Sequence, residues 1–213
     1  MPNVLAIECS TPRASLCLLL GEELACARKW VAERNHDAHL FPALADALGS
    51  LGPHRHLDII LVGSGPGSYG GVRVALAAAT GVSVVRGCGI APICSWEPLA
   101  ESRAAILSDA KRGGWTLRRP SGEISVLTTD GVRAALAAGE LIWSVEPADV
   151  LARAGLALPR AGLVPTAQGL VATWLSLSPQ EQQRRAALPA EPIYVRPPHI
   201  TTPKRKPWEI AAK

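Results

Sequence analysis

Residues 58–85, DIILVGSGPGSYGGVRVALAAATGVSVV, restrict the fold more than any other stretch of the chain. Residues 58–62 run apolar after the aspartate with no polar alternation, the pattern of a strand buried on both faces of a sheet. Gly65, Gly67, Gly70 and Gly71 follow at once, around Pro66 and Ser68. Glycines allow positive φ and close backbone approach, so this turn can deliver the chain sharply from a strand into a helix over 72–85. From Val74 to Val85 there is no charged residue, and a helix apolar all round needs cover on more than one side. One side can lie on the sheet. The opposite side, built of Ala and Gly, would let another helix approach to the short end of the ~8–10 Å interaxial range, which reads as a partner surface. Ala75, Ala79 and Val82 form one stripe, and Ala77, Gly81 and Val84 another about half a turn away. One stripe should pack inward and the other should carry the partner.

Upstream, 4–7, 15–20 and 24–31 read as three successive strands, with a tight turn at Gly21-Glu22 between the second and third. Asn35 or Asp37 is a helix N-cap, and Leu40, Leu44, Leu48 and Leu51 recur at helical spacing after it. A fifth strand over 90–94 closes this half. The order β-β-β-α-β-α-β is that of the ribonuclease-H-like unit used twice in actin-like proteins. In the second half, strands are expected at 105–108, 115–117, 123–128 and 141–145. A helix is expected over 130–138, and Ala167, Leu170, Val171, Trp174 and Leu175 form a helical stripe. The expected fold is therefore α/β and actin-like, with one unit over 1–102 and a reduced copy plus a C-terminal tail over 103–213.

Hydrophobic residues make up 48% of the 213, enough for a core, but aromatics are only 4%, so Leu, Val, Ile and Ala must fill it. The five cysteines form no Cys-x-x-Cys pair, and neither a disulfide framework nor a zinc knuckle is legible. A reducing cytoplasm is the expected compartment. The apolar run at 4–7 is stopped by Glu8, so no signal peptide is expected, and no run approaches the ~20 residues that span a bilayer. The net charge of +4 and the runs Arg184-Arg185 and Lys204-Arg205-Lys206 would favour an RNA-containing assembly through phosphate attraction, but such runs are also ordinary solvated faces.

The glycine turn is neither a P-loop, since no Gly-Lys-Ser/Thr follows, nor a dinucleotide fingerprint, since Pro66 and Ser68 break the spacing. A helix N-terminus there is an anion site in principle, and a packing turn otherwise. His36 and His39 share a helix face and His54 and His56 a polar turn, but no set of three or four convergent metal ligands is legible. No metal site is expected, and His36 reads as a capping and interface residue.

Five segments, in order, resemble one family. VLAIECST (4–11), NHDAHLFPAL (35–44), LDIILVGSGPGSYGGVRVALAAATG (57–81), SDAKRGGWTL (108–117) and AEPIYVRPP (190–198) are similar to motifs of TsaB. TsaB is the YeaZ-type partner family of the bacterial tRNA threonylcarbamoyladenosine machinery. The chain departs from the family pattern at Glu8 (Asp in the family), Cys9 (Thr), Tyr69-Gly70-Gly71 (Phe-Thr-Gly) and Thr80 (Lys). The resemblance implies a non-catalytic scaffold that binds the catalytic relative TsaD through its first two helices, together with the ATPase TsaE, and that forms a homodimer in isolation. On that reading His36, Leu40, Leu44, Val72, Ala75, Ala77, Ala78, Ala79 and Gly81 are the partner interface. Glu8, Ser10, Thr11, Gly65, Gly67 and Ser68 are the remnant of an actin-like phosphate site. No cofactor is expected on this chain alone, ATP entering at the level of the complex, and tRNA contact is expected to be indirect. TsaD carries a His-x-x-x-His pair after its fifth strand; residues 93–98 here contain no histidine. A small actin-like kinase or ATPase, or a free-standing homodimeric interaction module, are the alternative readings.

Overall fold

The structure is a computed structural model, which describes residues 2–32, 35–52, 55–99, 103–110 and 113–195. His54, Lys111, Arg112, residues 196–198 and the basic tail over 204–213 lie outside the described residues.

β1 (Asn3–Glu8) sets the plan of the first unit. Its Leu5 and Ile7 enter one hydrophobic cluster, and Val4 and Ala6 another. The two-residue repeat of a strand requires this when both sheet faces are covered. β2 (Arg13–Leu20) and β3 (Glu23–Val31) follow antiparallel, turning at Gly21 with φ +61°. α1 (His36–Leu51) crosses to β4 (Ile59–Gly63), parallel to β1, and α2 (Tyr69–Arg86) crosses to β5 (Gly89–Ile93), parallel to β4. The sheet order is β3-β2-β1-β4-β5, as the element order in the sequence implied. α1 and α2 share one face, over Leu5, Ile7, Ile60 and Val62.

A second sheet repeats the plan in reduced form. β6 (Ala105–Asp109), β7 (Gly114–Arg118) and β8 (Ile124–Thr128) form an antiparallel meander. α3 (Thr129–Ala137) leads to β9 (Ile142–Ser144), which pairs parallel with β6. The order β8-β7-β6-β9 is that of the first sheet without its last strand. α4 (Ala148–Arg153) adds Leu151 to the cluster of Val132, Ile142 and Trp115.

The chain then returns to the first unit. α5 (Ala167–Ser176) lays Ala167, Leu170, Val171 and Trp174 on Val4, Ala6, Ile59 and Leu61, covering the sheet face that α1 and α2 leave open. Ala167 N–H donates to Ser15 Oγ at 2.9 Å. α6 (Pro179–Ala186) is held by a fork from Arg185 to both oxygens of Glu97, 2.8 and 2.9 Å. The spatial division therefore does not follow a cut after residue 102. The central strands of the first sheet are apolar on both faces and need a second cover, which α5 supplies among the described residues. α4 and α6 were not anticipated, because α4 is six residues long and α6 (PQEQQRRA) has no apolar stripe.

Trp174 is 5% exposed. Trp174→Ala should lower unfolding free energy by about 3–5 kcal/mol in urea denaturation. A loss well below 1 kcal/mol would mean that α5 does not complete the first core.

Candidate functional site

The glycine turn meets the loop after β1, backbone to backbone. Ser68 N–H donates to the carbonyl of Ser10 at 2.6 Å. A Cβ on Gly67 would stand 2.1 Å from that same carbonyl oxygen, and one on Gly71 2.0 Å from the carbonyl oxygen of Cys9. These glycines are fixed by space: α2 can start this close to β1 only without side chains there. Ser68 caps the helix, its hydroxyl accepting from Gly71 N–H. Two donors that a phosphate would need, Ser68 N–H and Gly71 N–H, are thus already engaged by the protein.

The C-terminal motif joins the same junction. Ile193 N–H donates to the carbonyl of Ser64 at 2.8 Å, and the Tyr194 ring lies 5.7 Å from that of Tyr69. Three of the motifs that carry the family resemblance, around 8–11, 62–72 and 190–195, therefore converge on one point of the fold.

Beside the junction a cleft of about 1220 Å³ separates the two units. Ser10, Thr11, Gly67 and Ser68 line it, whereas Glu8 and Gly65, expected with them, do not. Glu8 is 1% exposed and turned under Gly63, its Oε1 accepting from Ser10 N–H at 2.6 Å. Burial pushes its carboxyl above the usual range, against the pull of hydrogen bonds from Ser10 and Ser95. A carboxyl held this way cannot face a metal–phosphate complex in the cleft. Of the described lining residues Arg13 alone is basic, and it donates to the carbonyl of Gly162 at 3.0 Å, while Asp109 and Glu146 put carboxylates on the opposite wall. Among the described residues no group of three or more His, Cys, Asp or Glu is placed to hold a metal ion, and His56 pairs with Asp58 at 3.2 Å.

The second surface of interest is the outer face of α1 and α2. Ala75, Ala79 and Val82 are buried on the sheet, and Ala77 and Gly81 are exposed, with Val84 78% and Val85 81% open. The structure thus decides which stripe is which: the Ala77–Gly81–Val84 stripe faces outward. The second unit does not cover it. On α1, Phe41, Pro42 and Ala45 are exposed. Of the nine residues expected at a partner interface, Leu40, Leu44, Val72, Ala75, Ala78 and Ala79 are instead in the core of the chain itself. On α1 the helical recurrence of Leu40, Leu44 and Leu51 marks the inward face. Phe41 and Val85 were missed, although each is next in sequence to a residue of the apolar pattern.

His36, also expected at that interface, is 5% exposed and sits in the first turn of α1, under the position where Gly71 would carry a side chain. It does not cap the helix: Asn35 holds that position, with no side-chain cap bond. Burial lowers its pKa, His39 lowers it further and Asp37 partly offsets both, so the folded state prefers neutral imidazole.

This fold and junction define an actin-like α/β protein of two unequal units. Residues 30–130 match the family model of TsaD, tRNA N6-adenosine threonylcarbamoyltransferase. A Pseudomonas aeruginosa protein described as similar to peptidase YeaZ has a crystal structure that superposes with TM-score 0.69 at 23% identity, over 92% of this chain and 100% of that one. YeaZ of the same organism superposes with TM-score 0.67 at 22% identity, over 91% and 100%. Uncharacterized proteins of Mycobacterium tuberculosis and Mycobacterium bovis are 28% identical over 162 residues, 72% of this chain and 72% of each relative. The resemblance to the YeaZ-type TsaB family is borne out, and the chain has the YeaZ fold.

Two outcomes test the junction. Gly67→Ala and Gly71→Ala should each cost about 1–3 kcal/mol in chemical denaturation, whereas Gly70→Ala, with nothing within 4 Å of its Cβ position, should be close to neutral. Equal effects at all three sites would refute the close approach. For His36, the unfolded chain takes up a proton near pH 6.5 and the folded chain only at lower pH. The stability that neutral His36 contributes is present above that pH and is lost as pH falls through it. Denaturation from pH 7.5 to 5.5 should show a steeper loss for the native chain than for His36→Gln, and parallel curves would contradict the buried neutral imidazole.

Proposed function

We propose that this chain is a TsaB-type partner subunit that docks a TsaD-like catalytic subunit through the outward faces of α1 and α2, with a TsaE-like ATPase completing the assembly. It acts in the cytoplasm on tRNA N6-threonylcarbamoyladenosine formation by supporting the catalytic subunit, and supplies no catalytic group of its own. The observation that carries this is the α2 outer stripe: Ala77, Gly81, Val84 and Val85 leave an 18-residue helix with an apolar, small-residue face open to water. Val84 and Val85 at near-full exposure lose hydration cost when covered, at about 25 cal/mol per Å² of apolar surface. The small Ala77 and Gly81 admit a facing helix closely.

The same face would pair two copies of this chain when no catalytic partner is present, which is the homodimer reading. The actin-like kinase reading has the cleft in its favour, but Glu8 is buried and does not line it. ATP is placed at the level of the complex rather than on this chain.

Gly81→Arg and Ala77→Arg should leave the melting temperature nearly unchanged and abolish pull-down of a TsaD-like partner. Ala79→Arg, on the buried stripe, should unfold the first unit. Retained binding by both outward variants would remove α2 as the docking surface.

A further inference from the structure

β7 is buried along its whole length, and the last of its residues is an arginine. Leu117 enters the cluster of Val132, Ile142 and Trp115, so the two-residue repeat of a strand sends Arg118 to the opposite face. There it stands across from Ile106 of β6 and Ile124 of β8. Ile106 packs with Trp96 and Val145, and Cys94 lies against the same cluster. Arg118 is therefore on the side of the second sheet that meets the segment after β5, and it is 9% exposed.

A guanidinium does not deprotonate in a protein, so burial leaves it in need of a counter-charge and of acceptors for its N–H groups. Among the described residues Arg118 finds neither: no carboxylate pairs with it, and its side chain donates no hydrogen bond. Its neighbour Arg119 makes the contrast, paired with Glu123 and Glu140. Glu97 and Arg118 both act on the Cys94 thiol, but the two oxygens of Glu97 are taken by the Arg185 fork at 2.8 and 2.9 Å. Cys94 does not supply the charge either, because burial holds its thiol above the usual range against the pull of Arg118. The guanidinium nitrogens are not sealed in. The fully enclosed side-chain atoms without a partner belong to Glu8, Ser10, Trp30, His36 and Trp96, so at Arg118 a little surface remains through which a small solute can arrive.

We infer that Arg118 is the anchor of a site for a small oxyanion, placed where the second sheet meets the segment after β5. The planar fork of a guanidinium matches two oxygens of a carboxylate or of a phosphate, and the narrow access fits an anion of that size. The site is separate from the outer face of α1 and α2, and Arg118 is not among the residues that line the cleft. It is tested without a partner subunit, so its failure leaves the docking reading untouched.

The experiment is urea denaturation of the full chain at constant ionic strength, titrating chloride with inorganic phosphate in one series and with acetate in another. In at least one series the midpoint of the native chain should rise along a saturating curve, as a ligand bound by the folded state alone requires; the series that saturates identifies the oxyanion. Arg118→Met should show only the shallow, non-saturating rise that an excluded salt gives any protein. In chloride alone Arg118→Met should be at least as stable as the native chain, since it removes a buried charge that has no partner. Arg118→Lys keeps the charge without the fork and should need about 10-fold more anion for the same shift, the loss of one of two charge-assisted hydrogen bonds; it decides the matter if the Met variant does not fold. Equal rises in the native chain and Arg118→Met would reduce the effect to the solvent and overturn the site. Glu101 lies outside the described residues. A loss of stability on Glu101→Gln that vanishes in the Arg118→Met background would make the counter-charge the chain's own and end the proposal.

Discussion

The contact between the start of α2 and the loop after β1 governs most of what this chain can present. Ser68 N–H to Ser10 C=O closes it, and the absence of side chains at Gly67 and Gly71 permits it. A backbone collision of this kind cannot be relieved by choosing another rotamer, so the position of α2 against the sheet is tightly set. With the helix start fixed, rotation about its axis is fixed too. Ala75, Ala79 and Val82 then must face β1 and β4, and the stripe half a turn away must face out.

The same contact leaves the space between the units a poor phosphate cradle. An actin-like phosphate cradle needs free amide donors at a helix start and an acidic group turned towards a bound cation. Here Ser68 N–H and Gly71 N–H are engaged internally, and Glu8 is folded under Gly63 as a buried carboxyl biased towards its neutral form. The fold has kept the geometry of the turn while its polar groups hold the protein together.

Much of the first unit was legible in the sequence because its strands and helices bury different numbers of faces. The unbroken apolar run in β4 reports two covered faces, and the charged, loosely alternating β3 reports a sheet edge. The two stripes of α2 could be separated by helical geometry, but not assigned, since both are Ala- and Val-rich and only tertiary packing distinguishes them. The resemblance put Leu40 and Leu44 at an interface, and their periodicity could not correct it, because it marks an apolar face without saying what covers it. The return of α5 to the first sheet is a long-range event that no local pattern encodes. Glu8 reads as a cleft acid from its place after β1, and only the close passage of Gly63 shows that its side chain turns inward.

The proposal that α2 offers its outer stripe to another protein, and that the cleft does not turn over nucleotide, is tested most directly by hydrogen–deuterium exchange of this chain with and without a TsaD-like partner. The account predicts slower exchange in α1 and α2 on partner addition, concentrated around Phe41 and around Ala77 to Val85. It predicts no change at the cleft-lining 108–110 and 145–148 when ATP is added to the chain alone. Protection of the cleft by ATP alone, with α1 and α2 unaffected by the partner, would contradict it.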